Sequence, residues 1–235
     1  MINLDNVTIV AVNGSGENLE IAKSLKYSTR DIKFSDVLLF SSSRERYDFC
    51  KTIDIHKLDY DGYSKFILTE IGDHIETDYF LIVQDDGFVI NPSRWNPDFL
   101  EYDYIGAPWP FVHVYQNSKR WPIIHSHYYN GKTYQVGNGG FSLRSKKLMD
   151  NVKKLYTVDY DGIPEDAVIC IGMRNDLESM GRKFPDVFTA ASFSCEARFV
   201  DVNGIIKEFS SDHSFGFHCK ETHPDKVNLL TGEIL

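Results

Sequence analysis

The chain has no apolar run approaching the roughly 20 residues needed to cross a bilayer. Its first residues, MINLDNVTIVAVNGSG, lack the basic start and longer apolar stretch of a secretory signal, so a cytoplasmic location is expected. Cysteine is scarce: Cys50, Cys170, Cys195 and Cys219 are four among 235 residues and show no metal-ligand spacing, which points to reduced thiols. Positive charge is also short. Lys plus Arg number 25 against 34 Asp plus Glu, a formal net charge of -9. Such a chain is unsuited to wrapping nucleic acid or lying on an anionic membrane. A phosphate-bearing ligand would have to be held through a metal ion or a few local basic groups. Internal repeats, low-complexity tracts and charge blocks are absent as well.

What is present alternates. NVTIVAV is a β-branched run of strand type, and GSGENLEIAKSLKYS reads as a helix with a glycine-rich entry. FSDVLLFSSS is a second strand ending in small hydroxyls. YSKFILTEIGDHIE is a helix with Ile67, Ile71 and Ile75 on one face, and DYFLIV is a strand apolar on both faces, as a central parallel strand should be. Strand–helix alternation implies right-handed crossovers and a parallel sheet. The second half differs. Residues 102 to 136 are rich in aromatics and contain Pro108, Pro110 and Pro122, which disfavours long helices. SKKLMDNVKKLY follows as an amphipathic helix capped by Ser145, and PEDAVICIGMRNDLESMG as another helix, with Pro164 in its first turn and Gly181 at its end.

The central strand runs directly into Gln84, Asp85, Asp86 and Gly87. Ligands of open α/β sheets bind beyond the carboxyl ends of the strands. Side-chain alternation puts Gln84 and Asp86 on one side and Asp85 on the other. A carboxylate there can hold Mg²⁺ or Mn²⁺, and the cation a diphosphate; an Asp-Gly turn with solvated carboxylates is the plainer alternative. YQVGNGGFSLRS sets Gly137, Gly139 and Gly140 around Asn138, open to close approach by a ligand or simply a tight turn before a helix. In PEDAV, Glu165 and Asp166 occupy a first helical turn, where the macrodipole favours one carboxylate and leaves the second free for general-base work. His218, between aromatics in SFGFHCK, is a structural residue or a nitrogen ligand for Mn²⁺. The His125-Ser126-His127 pair is too few ligands for a zinc site by itself.

The order of QDDG at 84 to 87, IGAPW at 105 to 109, NGGFSLRS at 138 to 145, PED at 164 to 166 and FGFH at 215 to 218 resembles a little-characterised branch of the glycosyltransferase A-type superfamily. The resemblance spans nearly the whole chain. It implies an α/β fold: a single domain over residues 1–235, with a Rossmann-like, mostly parallel central sheet flanked by helices. Residues 1–100 would form the nucleotide-sugar half, and residues 101–235 an irregular aromatic half for the acceptor and catalysis. It implies a hexosyltransferase-type enzyme that takes a nucleoside-diphosphate sugar, most often a UDP-sugar, and a carbohydrate acceptor, with Mn²⁺ or Mg²⁺ as cofactor. The superfamily's Asp-x-Asp metal motif falls on residues 84 to 86, with Gln84 in place of the first Asp. Asp86 then becomes the direct metal ligand, Asp85 a contact to ribose or to a metal-bound water, and His218 the late histidine that completes the site. Asp166 or Glu165 would be the base of an inverting reaction. Asn13, Ser41, Tyr63, Lys65 and Gln84 are candidates on the donor side, and Trp109 with Asn138, Gly139 and Gly140 on the acceptor side. Two other readings are a sugar nucleotidyltransferase, disfavoured because NGSGENLE carries no Lys or Arg, and a non-catalytic carbohydrate- or nucleotide-binding module, which Gln84 keeps open.

Overall fold

A computed structural model of the protein describes residues 1–110, 135–232 and 235. The paired histidines at 125 and 127 and the proline at 122 lie outside them. The sheet is built around β1 (Ile2–Asn13). Helix α1 (Leu19–Ser28) returns the chain to β2 (Ile32–Ser41), and a short β3 (Lys51–Asp54) follows at the edge. Helix α2 (Tyr60–Thr69) leads to β4 (Tyr79–Val83). Strands β5 (Tyr104–Gly106) and β6 (Ser142–Ser145) complete six strands in the order β3-β2-β1-β4-β6-β5. The first four are parallel, whereas β6 runs antiparallel to both β4 and β5. The expected mostly parallel α/β sheet is therefore present. Strands β3 and β5 were not anticipated, being too short for a periodic signal.

Period-two alternation divides the sheet's side chains between two cores. Val10, Val12, Leu38, Phe40, Phe80 and Ile82 pack against Phe66 and Ile67 of α2 and against Leu148, Met149 and Val152 of α3 (Lys146–Leu155). Ile9, Ala11, Leu39, Leu81 and Val83 pack on the other face, against Ala22 and Leu25 of α1. Both faces of β4 are dry, which accounts for its unbroken YFLIV run. The three helices begin where the sequence supplies a side-chain acceptor: Asn18 accepts from Glu20 N at 3.1 Å, Asp59 from Gly62 N at 2.8 Å and Ser145 from Leu148 N at 3.0 Å.

The expected helix over residues 164 to 181 is interrupted. A first turn, α4 (Glu165–Ala167), passes into a π-helical segment, Val168–Gly172, and then into α5 (Arg174–Ser179). Gly181 closes it at φ +81°. The π segment is wholly buried, and such insertions commonly sit beside functional residues. Further on, β7 (Ser194–Cys195) pairs in parallel with a late strand, Gly216–Phe217.

The carboxyl ends of β1, β2 and β4 meet at one edge. Asn13 and Ser41 are register partners there, and Gln84 follows directly on β4. Strand β1 has β2 on one side and β4 on the other, so this edge is the switch point at which open α/β sheets bind ligands.

Candidate active site

Beyond β4 the chain reverses within two residues. Gln84 N donates to Gly87 O at 2.7 Å and Gly87 N returns to Gln84 O at 3.2 Å, leaving Asp85 and Asp86 at the tip. The two carboxylates part as alternation predicts. Asp85 Oδ2 accepts from Asn18 Nδ2 at 3.0 Å, beside the start of α1. Asp86 faces the other way, with Oδ1 3.5 Å from His218 Nε2. Its backbone carbonyl accepts from Cys219 N at 2.9 Å, tying the turn to the segment that carries the histidine.

A glycine pair forms the opposite wall. Tyr104 donates its hydroxyl to the carbonyls of Gly137 and Asn138, fixing the loop that enters β6. A methyl group on Gly140 would lie 2.0 Å from His218 Nε2, and one on Gly139 would lie 2.3 Å from Glu165 Oε1. Neither contact is possible for a real side chain, so these two positions must be glycine for the histidine and the acidic pair to approach the loop. Gly139 N donates to Asp166 Oδ2 at 3.1 Å, and Ala167 N donates to Asp166 Oδ1 at 2.7 Å.

The acidic pair is divided. Glu165 is buried and binds the fully buried Arg144 at 2.5 Å, and Arg144 Nε also donates to Ser142 Oγ. Glu165 is thus committed to holding the start of α4 against β6. Asp166 keeps partial exposure and no cation partner among the described residues. Burial, and then the neighbouring Glu165 carboxylate, push its carboxyl up to about 8, against the lowering effect of the Ala167 and Gly139 amides and of Arg144. A carboxylate tuned to that range suits a general base. For His218, burial acts to lower the pKa, but Glu196 and Asp86 outweigh it and raise it.

Several sequence expectations are corrected here. Asp85, turned to Asn18, stands apart from the Asp86 and His218 pair. Asn13 and Ser41 are buried, and their polar atoms serve their own loops: Asn13 Oδ1 accepts from Gly16 N, and Ser41 Oγ from Ser43 N. Lys65 sits 3.6 Å from Asp161 in an exposed pair rather than at the strand end. Trp109 is only 7% exposed and packs under Gly137, where a methyl would touch its ring at 2.3 Å. A face so covered cannot stack on a sugar, so Trp109 is core. Tyr63 does reach the site, its hydroxyl accepting from Gln84 Nε2 at 2.9 Å. Asn138 joins it too, donating from Nδ2 to Glu196 Oε1 at 2.9 Å.

Glu196 was missed altogether. It directly follows β7, as His218 follows the strand paired with β7, and so the ladder sets the two side by side. Nothing local in SCEARF announces that, since the cause is a pairing across some twenty residues. Arg144 lay within a noted motif, but its burial and its bond to Glu165 are tertiary facts.

Among the described residues, no three His, Cys, Asp or Glu side chains converge as a metal-holding group. The fit to a divalent cation therefore rests on two adjacent donors, the Asp86 oxygen and the His218 nitrogen. Such a pair suits Mg²⁺ or Mn²⁺ when phosphate oxygens and water fill the remaining positions.

The architecture is that of the glycosyltransferase A-type fold. The chain is similar to a glycosyltransferase involved in the glycosylation of the major capsid of PBCV-1, with TM-score 0.51 and 12% identity over 95% of this chain and 98% of that one. It is also similar to the galactosyltransferase LgtC solved in complex with donor and acceptor sugar analogs, with TM-score 0.50 and 13% identity over 96% and 95%. At these identities the likeness is one of fold. Over residues 49–218 the chain matches the family described as a protein of unknown function (DUF5672), and it belongs to that family. No curated protein matches it.

Proposed function

We propose that the protein is a divalent-cation-dependent glycosyltransferase that moves a sugar from a nucleoside-diphosphate donor, a UDP-sugar first, to a carbohydrate hydroxyl with inversion. The observation that carries the reading is the meeting, across one glycine pair at the switch point, of Asp86 and His218 on one side with Asp166 on the other. Asp86 and His218 hold the cation. When bound, Mn²⁺ or Mg²⁺ supplies positive charge against the departing diphosphate. Asp85, beside the β1–α1 loop, contacts the ribose. Tyr63 and Gln84 shape the floor between donor and base, and the Asn138–Gly140 backbone lines the acceptor side. Residues 1–100 serve the donor, and residues 101–235 serve the acceptor and the proton transfer.

In the reaction Asp166 accepts the acceptor hydroxyl proton while that oxygen bonds to the anomeric carbon. The bond from carbon to the phosphate oxygen breaks, and the nucleoside diphosphate leaves with the electron pair. Arg144 draws the Glu165 charge into the core, so the second carboxylate does not compete for the proton. One carboxylate on the acceptor side, with attack opposite the leaving group, gives inversion.

The test is thermal stability against a panel of nucleoside diphosphates, each with and without Mn²⁺. A ligand that binds only the folded state raises Tm by mass action, and a site saturated a hundredfold above Kd gains about 2.7 kcal/mol. A Mn²⁺-dependent rise with one diphosphate is expected, followed by slow donor hydrolysis without acceptor. No rise with any member of the panel would refute the reading and favour a binding module of the same fold.

A further inference from the structure

We propose that Glu196 is a positioning residue that aims His218 at the cation and ties the cation site to the acceptor-side loop. The inference rests on the function proposed above. Glu196 Oε1 is 3.7 Å from His218 Nδ1 and accepts from Asn138 Nδ2 at 2.9 Å. On the far side of the imidazole, Nε2 faces Asp86 Oδ1 at 3.5 Å. The carboxylates thus flank the ring, one at each nitrogen. Among the described residues, His218 Nδ1 and Glu196 Oε2 are both buried with no hydrogen-bond partner, which leaves Nδ1 free to donate to the Glu196 carboxylate beside it. Gly140 and Gly87 pack on the ring, so it has little freedom to turn.

The chemistry follows from the two nitrogens. A histidine that donates Nδ1–H to a carboxylate must present the Nε2 lone pair, and here that lone pair faces Asp86. The same Glu196 carboxylate holds Asn138, whose Oδ1 accepts from Gly140 N at 3.0 Å, and Gly139 N in turn binds Asp166. Polar contacts therefore run from Asp86 through His218, Glu196 and Asn138 to the base. A cation seated at Asp86 and His218 would tighten the chain that carries Asp166.

The test is the affinity for Mn²⁺, alone and with uridine diphosphate, read from the paramagnetic resonance signal of free Mn²⁺. Glu196→Gln keeps the shape and can keep an oxygen towards both Asn138 and Nδ1, but it removes the negative charge that makes the imidazole a more basic ligand. A 10–100-fold loss of Mn²⁺ affinity is expected, the range for orienting partners of metal-bound histidines. In a His218→Ala background the same change should cost little more, because the ring it orients is gone. A full additional loss there would overturn the proposal, since it would mark a merely structural role. An independent check needs no variant: ¹⁵N resonance of the wild-type protein with Mg²⁺ and uridine diphosphate should find His218 protonated at Nδ1, and a proton at Nε2 overturns the inference. If the wild type binds Mn²⁺, and Asp86→Asn loses it while Glu196→Gln does not, this inference falls alone. If the wild type binds no Mn²⁺ with any diphosphate, it falls together with the function on which it rests.

Discussion

Asp166→Asn should separate catalysis from stability, because the same burial that tunes the base also strains the fold. The Asp166 carboxyl rises from 3.8 to about 8 on folding. At about 1.4 kcal/mol for each pH unit, the ceiling on the cost of ionising it in place is about 6 kcal/mol. Asp166 keeps partial contact with water, which screens the repulsion and leaves roughly 2 kcal/mol of that. Asparagine removes the charge but forfeits one of the two amide contacts, from Gly139 or Ala167, at about 1 kcal/mol. The net gain is about 1 kcal/mol, or roughly 2–4 °C in Tm for a chain of this size. The sign fixes the pH window. A raised carboxyl is neutral in both states below its unfolded pKa and costs nothing there. The cost grows from about pH 4 and levels off once pH passes the folded value near 8. Differential scanning calorimetry of both proteins from pH 4.5 to 9 should therefore show the variant's advantage widening with pH. Donor binding should persist while turnover falls about 10²–10⁴-fold. A variant less stable at every pH, with near-normal turnover, would mark Asp166 as an ordinary hydrogen-bond acceptor and refute the reasoning.

Other perturbations probe the rest of the site. On the proposed function Asp86→Asn removes a charge that would hold the cation, and calorimetry should find Mn²⁺-dependent diphosphate binding abolished; unchanged binding would sink its role. His218→Ala should weaken Mn²⁺ more than Mg²⁺, since a nitrogen donor favours the softer ion, and an equal effect on both would argue against ligation. Gly140→Ala places a methyl where His218 Nε2 stands 2.0 Å away. It should cost about 1–3 kcal/mol in urea unfolding and the Mn²⁺ response with it, whereas a silent substitution would contradict the packing. Arg144→Met leaves Glu165 buried without its partner. It should destabilise by about 3–5 kcal/mol, much of it recovered in the Arg144→Met/Glu165→Gln double variant; additive losses would show that the pair is not coupled.

The sheet was legible because its signals are local. NVTIVAV, FSDVLLF and DYFLIV state their burial in their own residues, and Ser145 marks a helix start by chemistry within one turn. Strand β3 fails that test, since KTID is a four-residue edge strand with partly exposed side chains and no periodicity of its own. The interrupted helix fails it differently. Its π turn satisfies the packing of Val168 to Ile171 and leaves no composition mark. At the candidate site, Asp86 and His218 stood out as acidic or imidazole groups near glycines, and Asp166 as the second acid of a first helical turn. Trp109 misled because an aromatic beside a glycine loop reads the same whether the glycine admits a ligand or the ring itself. Gly137 admits the ring.

Gln84 marks where the site departs from a plain acidic motif, and its surroundings supply a reason. Its Nε2 donates to the Tyr63 hydroxyl, and a methyl on Gly140 would lie 2.7 Å from its Oε1, so the side chain is wedged between α2 and the glycine loop. Tyr63 lies within electrostatic reach of Glu165 and Asp166, and those carboxylates help raise its hydroxyl pKa after burial itself. A carboxylate at position 84 would add a further negative charge to a pocket that already holds Asp86, Glu196, Glu165 and Asp166, with Arg144 buried against Glu165. It would push the Asp166 carboxyl, already raised by burial and by Glu165, higher still. A neutral amide donates to Tyr63 without that penalty. On this reasoning Gln84 spares Asp166 a further neighbouring charge, and under the proposed function the ligation of a cation would fall to Asp86, His218 and the phosphates of the donor.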